Sequence, residues 1–164
     1  MQQKSIIFSF ALLAIFLTFY SPSWISLFGV SPCWVILWLL PWSLKNGESS
    51  GVISGLFLGQ LLDVISLGNA SHIPSLVALG FWWGRLGRKG APIRKNLVFG
   101  LLAIIGTMLF GLSLWLQTII FEPFKSFFSA WGLQTLLAQS FITGLLAPLI
   151  CTWIFFILRP RTSL

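Results

Sequence analysis

Charged and catalytic residue types are scarce in this chain. Only 8% of its 164 residues are charged, and just 3 of them are Asp or Glu. A soluble domain carries about 25% charged residues, so a water-soluble fold of this size would lack the polar groups needed to cover its surface. The chain also has 1 His and 2 Cys. With so few acids, bases and thiols, we expect no enzymatic activity and no bound cofactor or metal.

Apolar residues dominate instead. They make up 57% of the sequence, aromatic residues make up 16%, and the mean hydropathy is +0.94. No charge lies between Lys4 and Lys45, a run too long for one membrane-spanning helix of about 20 residues. The turn signals at 21–23 and 68–71 divide the first two apolar stretches. The sequence is therefore typical of an integral membrane protein.

We expect an all-α fold in which residues 1–164 form one multi-pass membrane domain, a bundle of about six transmembrane helices. The predicted helices are 4–20, 31–44, 49–67, 73–87, 96–120 and 132–158. None of them has the polar face that a helix of a soluble bundle would need. The segment 31–44 is short, so it either spans the membrane or enters and leaves on one side.

The basic residues predict the orientation. With six spans, both termini lie on one side, together with all Lys and Arg residues except Lys125. Short cytoplasmic loops are enriched in Lys and Arg, so both termini are predicted to be cytoplasmic. This bias accounts for the net charge of +7 without a nucleic-acid partner.

One loop carries most of this basic charge. Its cluster comprises Arg85, Arg88, Lys89, Arg94 and Lys95. The cluster either fixes the topology, helped by attraction to anionic lipid head groups, or docks an acidic cytoplasmic partner.

Glycines recur every four residues in two of the predicted helices. They are Gly51, Gly55 and Gly59 in 49–67, and Gly80 and Gly84 in 73–87. Small residues at this spacing let two membrane helices approach closely. The pattern predicts that these two helices pack against each other.

Asp63 follows in the same register and is the only acid within a predicted span. A carboxylate in hydrocarbon needs a partner, a proton or water. His72 in the following loop is within reach, as are Ser66 and Gln60. Asp63 either orders the turn at 66–71 or serves as a proton or ligand site, and the absence of other ionisable groups in the spans favours the first.

Three tryptophans, Trp34, Trp38 and Trp42, are four residues apart and share one helix face. Such a stripe faces lipid or packs within the bundle, or else contacts a partner helix. The two cysteines, Cys33 and Cys151, lie in apolar runs and are expected to behave as small buried hydrophobes.

In the stretch from Gly51 to Gly87 the glycine-rich helix ends in Leu-Leu-Asp at 61–63, a short turn containing glycine follows, and the next helix ends in Gly-Arg-Leu at 84–86. This stretch resembles the family of the rod shape-determining protein MreD. The Trp-rich segment 32–45 looks like the cyanobacterial branch of that family. The turn at 68–72 departs from the family's Leu-Gly-rich turn.

The resemblance implies a non-enzymatic membrane scaffold subunit of the bacterial cell-elongation machinery in the plasma (inner) membrane. Its implied partners are a single-span MreC-like protein, MreB filaments, and the peptidoglycan synthases RodA and a class B penicillin-binding protein. It also implies a bundle similar to the substrate-binding subunit of energy-coupling-factor transporters.

The alternative is a small-molecule (vitamin) binding membrane subunit of a transporter. Such a pocket is mostly apolar with a few convergent polar groups. The candidate groups are Asp63, His72, Gln117, Gln134 and Gln139. A proton-coupled carrier would need a chain of ionisable residues in the spans, which the sequence lacks.

Overall fold

The structure, a computed structural model, describes residues 16, 18, 20, 30–66, 70–88, 96–121 and 130–157. The described chain contains five long helices. They are α1 (Trp34–Asn46), α2 (Glu48–Ser66), α3 (Ile73–Arg88), α4 (Asn96–Phe121) and α5 (Ala130–Ile157). These helices confirm the all-helical prediction for this part of the chain. The predicted helix 4–20 lies outside the described residues, apart from Phe16, Thr18 and Tyr20, which are helical.

Pro32 explains why α1 begins later than the predicted 31–44. Proline disfavours the helical conformation in the residue before it and has no N–H to donate. The first helical bonds instead start beyond it, where the N–H groups of Ile36 and Leu37 donate to the Cys33 carbonyl at 3.1 and 3.2 Å. α1 therefore starts at Trp34.

A single residue, Gly47, separates α1 from α2. Its φ of 87° lies in the left-handed region, which glycine adopts without the steric cost that a Cβ would add. Its N–H donates to the Ser43 carbonyl and its own carbonyl accepts from Gly51 N–H, both at 3.0 Å. The chain thus changes direction between two helices without a loop.

α1 forms the centre of the bundle. Val35, Ile36, Leu37, Leu39 and Leu40 are each at most 1% exposed, and the helix contacts all four of the others. A helix that is apolar on every side is buried in this way. Its 13 residues extend about 20 Å, which is shorter than the hydrocarbon core of about 30 Å.

Two helix pairs surround α1. α2 packs along α3, and α4 packs along α5. In the second pair, a Cβ added to Gly100 would lie 2.9 Å from the Gly144 carbonyl oxygen. The two backbones therefore approach closely at this crossing, as small residues allow in membrane helices.

Three of the described helices contain segments long and apolar enough to cross a membrane. These segments are Glu48–Ser66, Leu97–Ile120 and Gln134–Phe156. Large apolar side chains point outward on all three, including Ile53 and Val64 on α2, Leu97 on α4 and Leu149 on α5. Soluble proteins rarely expose so much contiguous apolar surface, so this outer surface suits a lipid environment.

Candidate functional site

Asp63, near the end of α2, is the centre of the densest polar cluster in the described chain. Its Oδ1 accepts hydrogen bonds from the His72 backbone N–H and from His72 Nδ1, both at 2.6 Å. Its Oδ2 accepts a hydrogen bond from Ser71 Oγ, also at 2.6 Å. Both oxygens of the carboxylate are therefore engaged by the turn that leads into α3.

The position of this carboxylate follows from the needs of a helix start. The first N–H groups of a helix have no partner within it, and the helix dipole favours a negative charge there. α3 starts at Ile73, whose N–H donates to Ser71 Oγ at 3.3 Å, while Asp63 takes the N–H of His72. Asp63 thus caps α3 from the neighbouring helix α2.

Gln117 on α4 completes the cluster. Its Oε1 accepts from the Ser71 backbone N–H at 2.7 Å, and its Nε2 donates to the Ser71 carbonyl at 2.9 Å. One side-chain amide thereby pairs with both backbone groups of one residue. Three helices, α2, α3 and α4, meet at this turn through four side chains.

The His72 ring closes the cluster on its apolar side. It lies 5.7 Å from the Phe110 ring, centre to centre. The side chains of His72 and Asp63 are only 16% and 23% exposed. An ionised carboxylate only accepts hydrogen bonds, so beside ionised Asp63 the Nδ1 atom of His72 carries the proton.

This arrangement favours a structural role over catalysis. A Ser-His-Asp relay needs the serine hydroxyl on the imidazole, whereas Ser71 Oγ donates to Asp63. Among the described residues, no group of three His, Cys, Asp or Glu side chains is placed to hold a metal ion. The cluster fastens helices together.

The predicted glycines of α2 lie against α3. A Cβ on Gly51 would collide with the Gly80 carbonyl, and one on Gly55 with the Leu76 carbonyl. A Cβ on Gly59 would lie 2.7 Å from the Ile73 Cα.

The same close approach occurs at the other end of the helix pair, where a Cβ on Gly84 of α3 would lie 2.5 Å from the Cα of Glu48. The backbones of α2 and α3 therefore touch along most of their length.

The tryptophan stripe of α1 turns largely toward the protein. Trp38 is only 9% exposed, and its ring stacks on Trp42 at a centroid distance of 5.7 Å. Trp34 is half-buried, and its buried Nε1 has no hydrogen-bond partner among the described residues. Of the three, Trp38 offers the least surface to another protein.

The described basic residues gather at the opposite end of the bundle from Asp63. Arg85 and Arg88 lie in the last turns of α3, and Lys45 lies in the last turn of α1. All three are exposed, and Arg88 lies 3.7 Å from the Glu48 carboxylate. Lys89, Arg94 and Lys95 lie outside the described residues.

The polar groups considered for a vitamin pocket divide in two. Asp63, His72 and Gln117 converge and hydrogen-bond to the same turn. Gln134 is exposed and Gln139 is half-buried on α5. The converging groups are directed at the protein itself, which leaves few of their hydrogen-bonding atoms for a ligand.

Two participants were missed from the sequence. Ser71 binds Asp63, Gln117 and Ile73, and its position just before a helix is a capping signal that identifies it. Thr143 Oγ1 on α5 accepts from the Cys33 N–H at 3.1 Å and donates to the Gln139 carbonyl at 2.6 Å. It fastens the start of α1 to α5, a long-range contact that no local pattern signals.

Comparison with known proteins supplies the family. A family model described as rod shape-determining protein MreD matches residues 1–159. No curated protein and no solved structure gives a significant match, so the likeness to energy-coupling-factor subunits stays a prediction. The family match covers nearly the whole chain and agrees with its apolar helices. The chain is therefore a membrane protein that belongs to the MreD family of rod shape-determining proteins.

Proposed function

We propose that this protein is a non-enzymatic scaffold subunit of the bacterial cell-elongation machinery in the plasma membrane. The family match over residues 1–159 carries the proposal. Membership of the family indicates a role in rod-shape determination. Among the possible ways of taking part in it, the described site best supports a scaffold.

The arrangement of polar groups supports a scaffold. The hydrogen bonds of Asp63, Ser71 and Gln117 are made to other parts of the same bundle. Close helix packing between α2 and α3 adds a second rigid contact. A scaffold has to hold its surfaces in fixed relative positions, and both features serve that requirement.

The charge distribution supports the proposed orientation. Lys45, Arg85 and Arg88 share one end of the bundle, and the Asp63 cluster lies at the other. By the positive-inside rule, the basic end is cytoplasmic. We infer that the chain has six spans with both termini inside, so the basic loop at 89–95 lies in the cytoplasm. There it could contact MreB filaments.

The outward face of α2 is the best-supported surface for a single-span MreC-like partner. Ile53 and Val64 are 69% and 70% exposed, and Gln60 lies between them on the same face and is exposed. A carboxamide in hydrocarbon is stabilised by a hydrogen bond to a neighbouring helix. RodA and a class B penicillin-binding protein are the further expected members of the complex.

Site-specific crosslinking in native membranes tests this function. A photo-crosslinker at Ile53 or Val64 is expected to capture an MreC-like protein, and Gln60→Leu is expected to weaken that product. Leu149 on α5 is equally exposed, at 70%, and serves as the matched control position. Absence of an MreC-like protein from every crosslinked or copurified product would contradict the scaffold role.

A further inference from the structure

A groove runs between α3 and α4 on the outer surface of the bundle. Its volume is about 360 Å³, within the range of small-molecule sites. The lining residues are Pro74, Ser75, Ala78, Leu79 and Trp82 from α3, and Leu109 and Ser113 from α4. The lining is mainly apolar, and Pro74, Ala78 and Leu109 are exposed.

The dimensions of the groove match one lipid chain. From Pro74 to Trp82 the groove follows α3 for about 12 Å, at 1.5 Å per residue. One leaflet contributes about half of the 30 Å hydrocarbon core. One acyl chain lying along α3 therefore fits the length of the groove between Trp82 and Pro74.

An exposed cation, Arg85, lies where the lipid head group would be. Arg85 is one turn beyond Trp82 and seven residues from Ala78, so it shares their side of α3. It is exposed, and no ion pair to it is found among the described residues, whereas Arg88 lies 3.7 Å from Glu48. Tryptophan and arginine at this depth are typical of the membrane interface.

We propose that this groove is a binding site for an anionic phospholipid, with one acyl chain between α3 and α4 and the phosphate held by Arg85. A guanidinium binds a phosphate through paired hydrogen bonds. A lipid with net negative charge is favoured because Arg85 is exposed and no described acid forms an ion pair with it. The site is independent of the proposed scaffold role.

Native mass spectrometry of the purified full-length protein tests the site with phosphatidylglycerol and phosphatidylcholine of identical acyl chains. We expect one phosphatidylglycerol to bind more tightly than phosphatidylcholine. Arg85→Gln is expected to lower the phosphatidylglycerol affinity about fivefold, the effect of one basic residue near a charged surface. Arg88→Gln removes the same charge one turn away and is expected to change it less than twofold.

A second variant tests the chain-binding half of the site. Ala78→Leu fills the groove while keeping Arg85, and it is expected to lower phosphatidylglycerol binding by a similar factor. Equal losses in the two arginine variants would overturn the proposal, because diffuse surface charge would explain the binding. Unchanged lipid binding in Ala78→Leu would also overturn the proposal. So would the loss, in this variant, of a copurifying helical protein rather than of a lipid, because the groove would then bind a protein.

Discussion

The carboxylate of Asp63 accepts two hydrogen bonds from a single residue, His72, one from its backbone N–H and one from its Nδ1, each 2.6 Å long. The first bond caps the start of α3, and the second orients the imidazole ring. Because Asp63 belongs to α2, one side chain fixes both the end of one helix and the beginning of the next. The hydrogen bonds of Asp63 thus hold one end of the α2–α3 pair, and the glycine contacts hold the rest of it.

Asp63→Asn is expected to be tolerated and Asp63→Leu is not. Asn keeps an acceptor for His72, and its amide donates to Ser71 Oγ, so the loss is mainly the charge at the helix start, about 1 kcal/mol. Leu leaves the donors of Ser71 and His72 without partners, and for these partly buried groups the cost is at most about 1–3 kcal/mol each. Thermal unfolding in detergent measures both variants. Glu48→Gln is the control, because it removes a carboxylate charge at a 3.7 Å contact with the exposed Arg88.

The same Asn variant separates structure from chemistry at this position. If Asp63 only orders the turn, the folded Asn variant should support normal rod shape in cells. A folded and partner-bound Asp63→Asn protein that fails to support rod shape would show instead that the charge or proton of Asp63 is needed. Cell shape after complementation is the measurement that distinguishes the two.

Gln117→Leu is expected to lower the unfolding free energy by about 1–3 kcal/mol, because the N–H and carbonyl of Ser71 both lose their partner. Gln134→Leu is the matched control, since Gln134 is exposed on the membrane-facing helix α5. Leucine is favourable in hydrocarbon, so this control should be neutral or stabilising. Equal losses in both variants, measured by thermal unfolding, would refute the bonding role of Gln117.

The sequence was most informative where a local pattern determines the structure. Apolar runs and turn residues predicted helices close to those observed; α4, for example, begins at the predicted residue 96. The prediction that Asp63 reaches His72 rested on their short separation along the chain, and the structure places them in contact.

The central position of α1 could not be predicted in this way. An apolar helix surrounded by protein and one surrounded by lipid have the same hydrophobic pattern, so the burial of Ile36 and Leu40 carries no local signal. Gln117 is a similar case, because its partner Ser71 lies 46 residues away. Contacts of this kind depend on how the helices assemble.

The orientation is tested by reporter fusions along the full-length chain. A reporter after Gly90 or after Leu164 is expected to be cytoplasmic, and one after Ser71 is expected to be external. The physical reason is the concentration of Lys and Arg beside Gly90. A Gly90 fusion that reports from outside would contradict the six-span topology.

Gly55→Leu is expected to disrupt the packing of α2 against α3 while leaving membrane insertion intact. Even the first added atom, a Cβ, would collide with the Leu76 carbonyl, and that oxygen belongs to backbone that cannot turn aside as a flexible side chain can. Overpacking of a tight core costs about 1–3 kcal/mol, and Leu itself favours hydrocarbon. The expected result is a membrane-inserted protein with lower thermal stability or impaired complex assembly.

Leu56→Ala is the control for this prediction. It changes the neighbouring outward-facing position, which is 47% exposed, and should have little effect on stability. If Gly55→Leu matched the wild type in thermal unfolding and in crosslinking from Ile53, the close approach of α2 and α3 would be refuted, because no rotamer of leucine avoids the Cβ position.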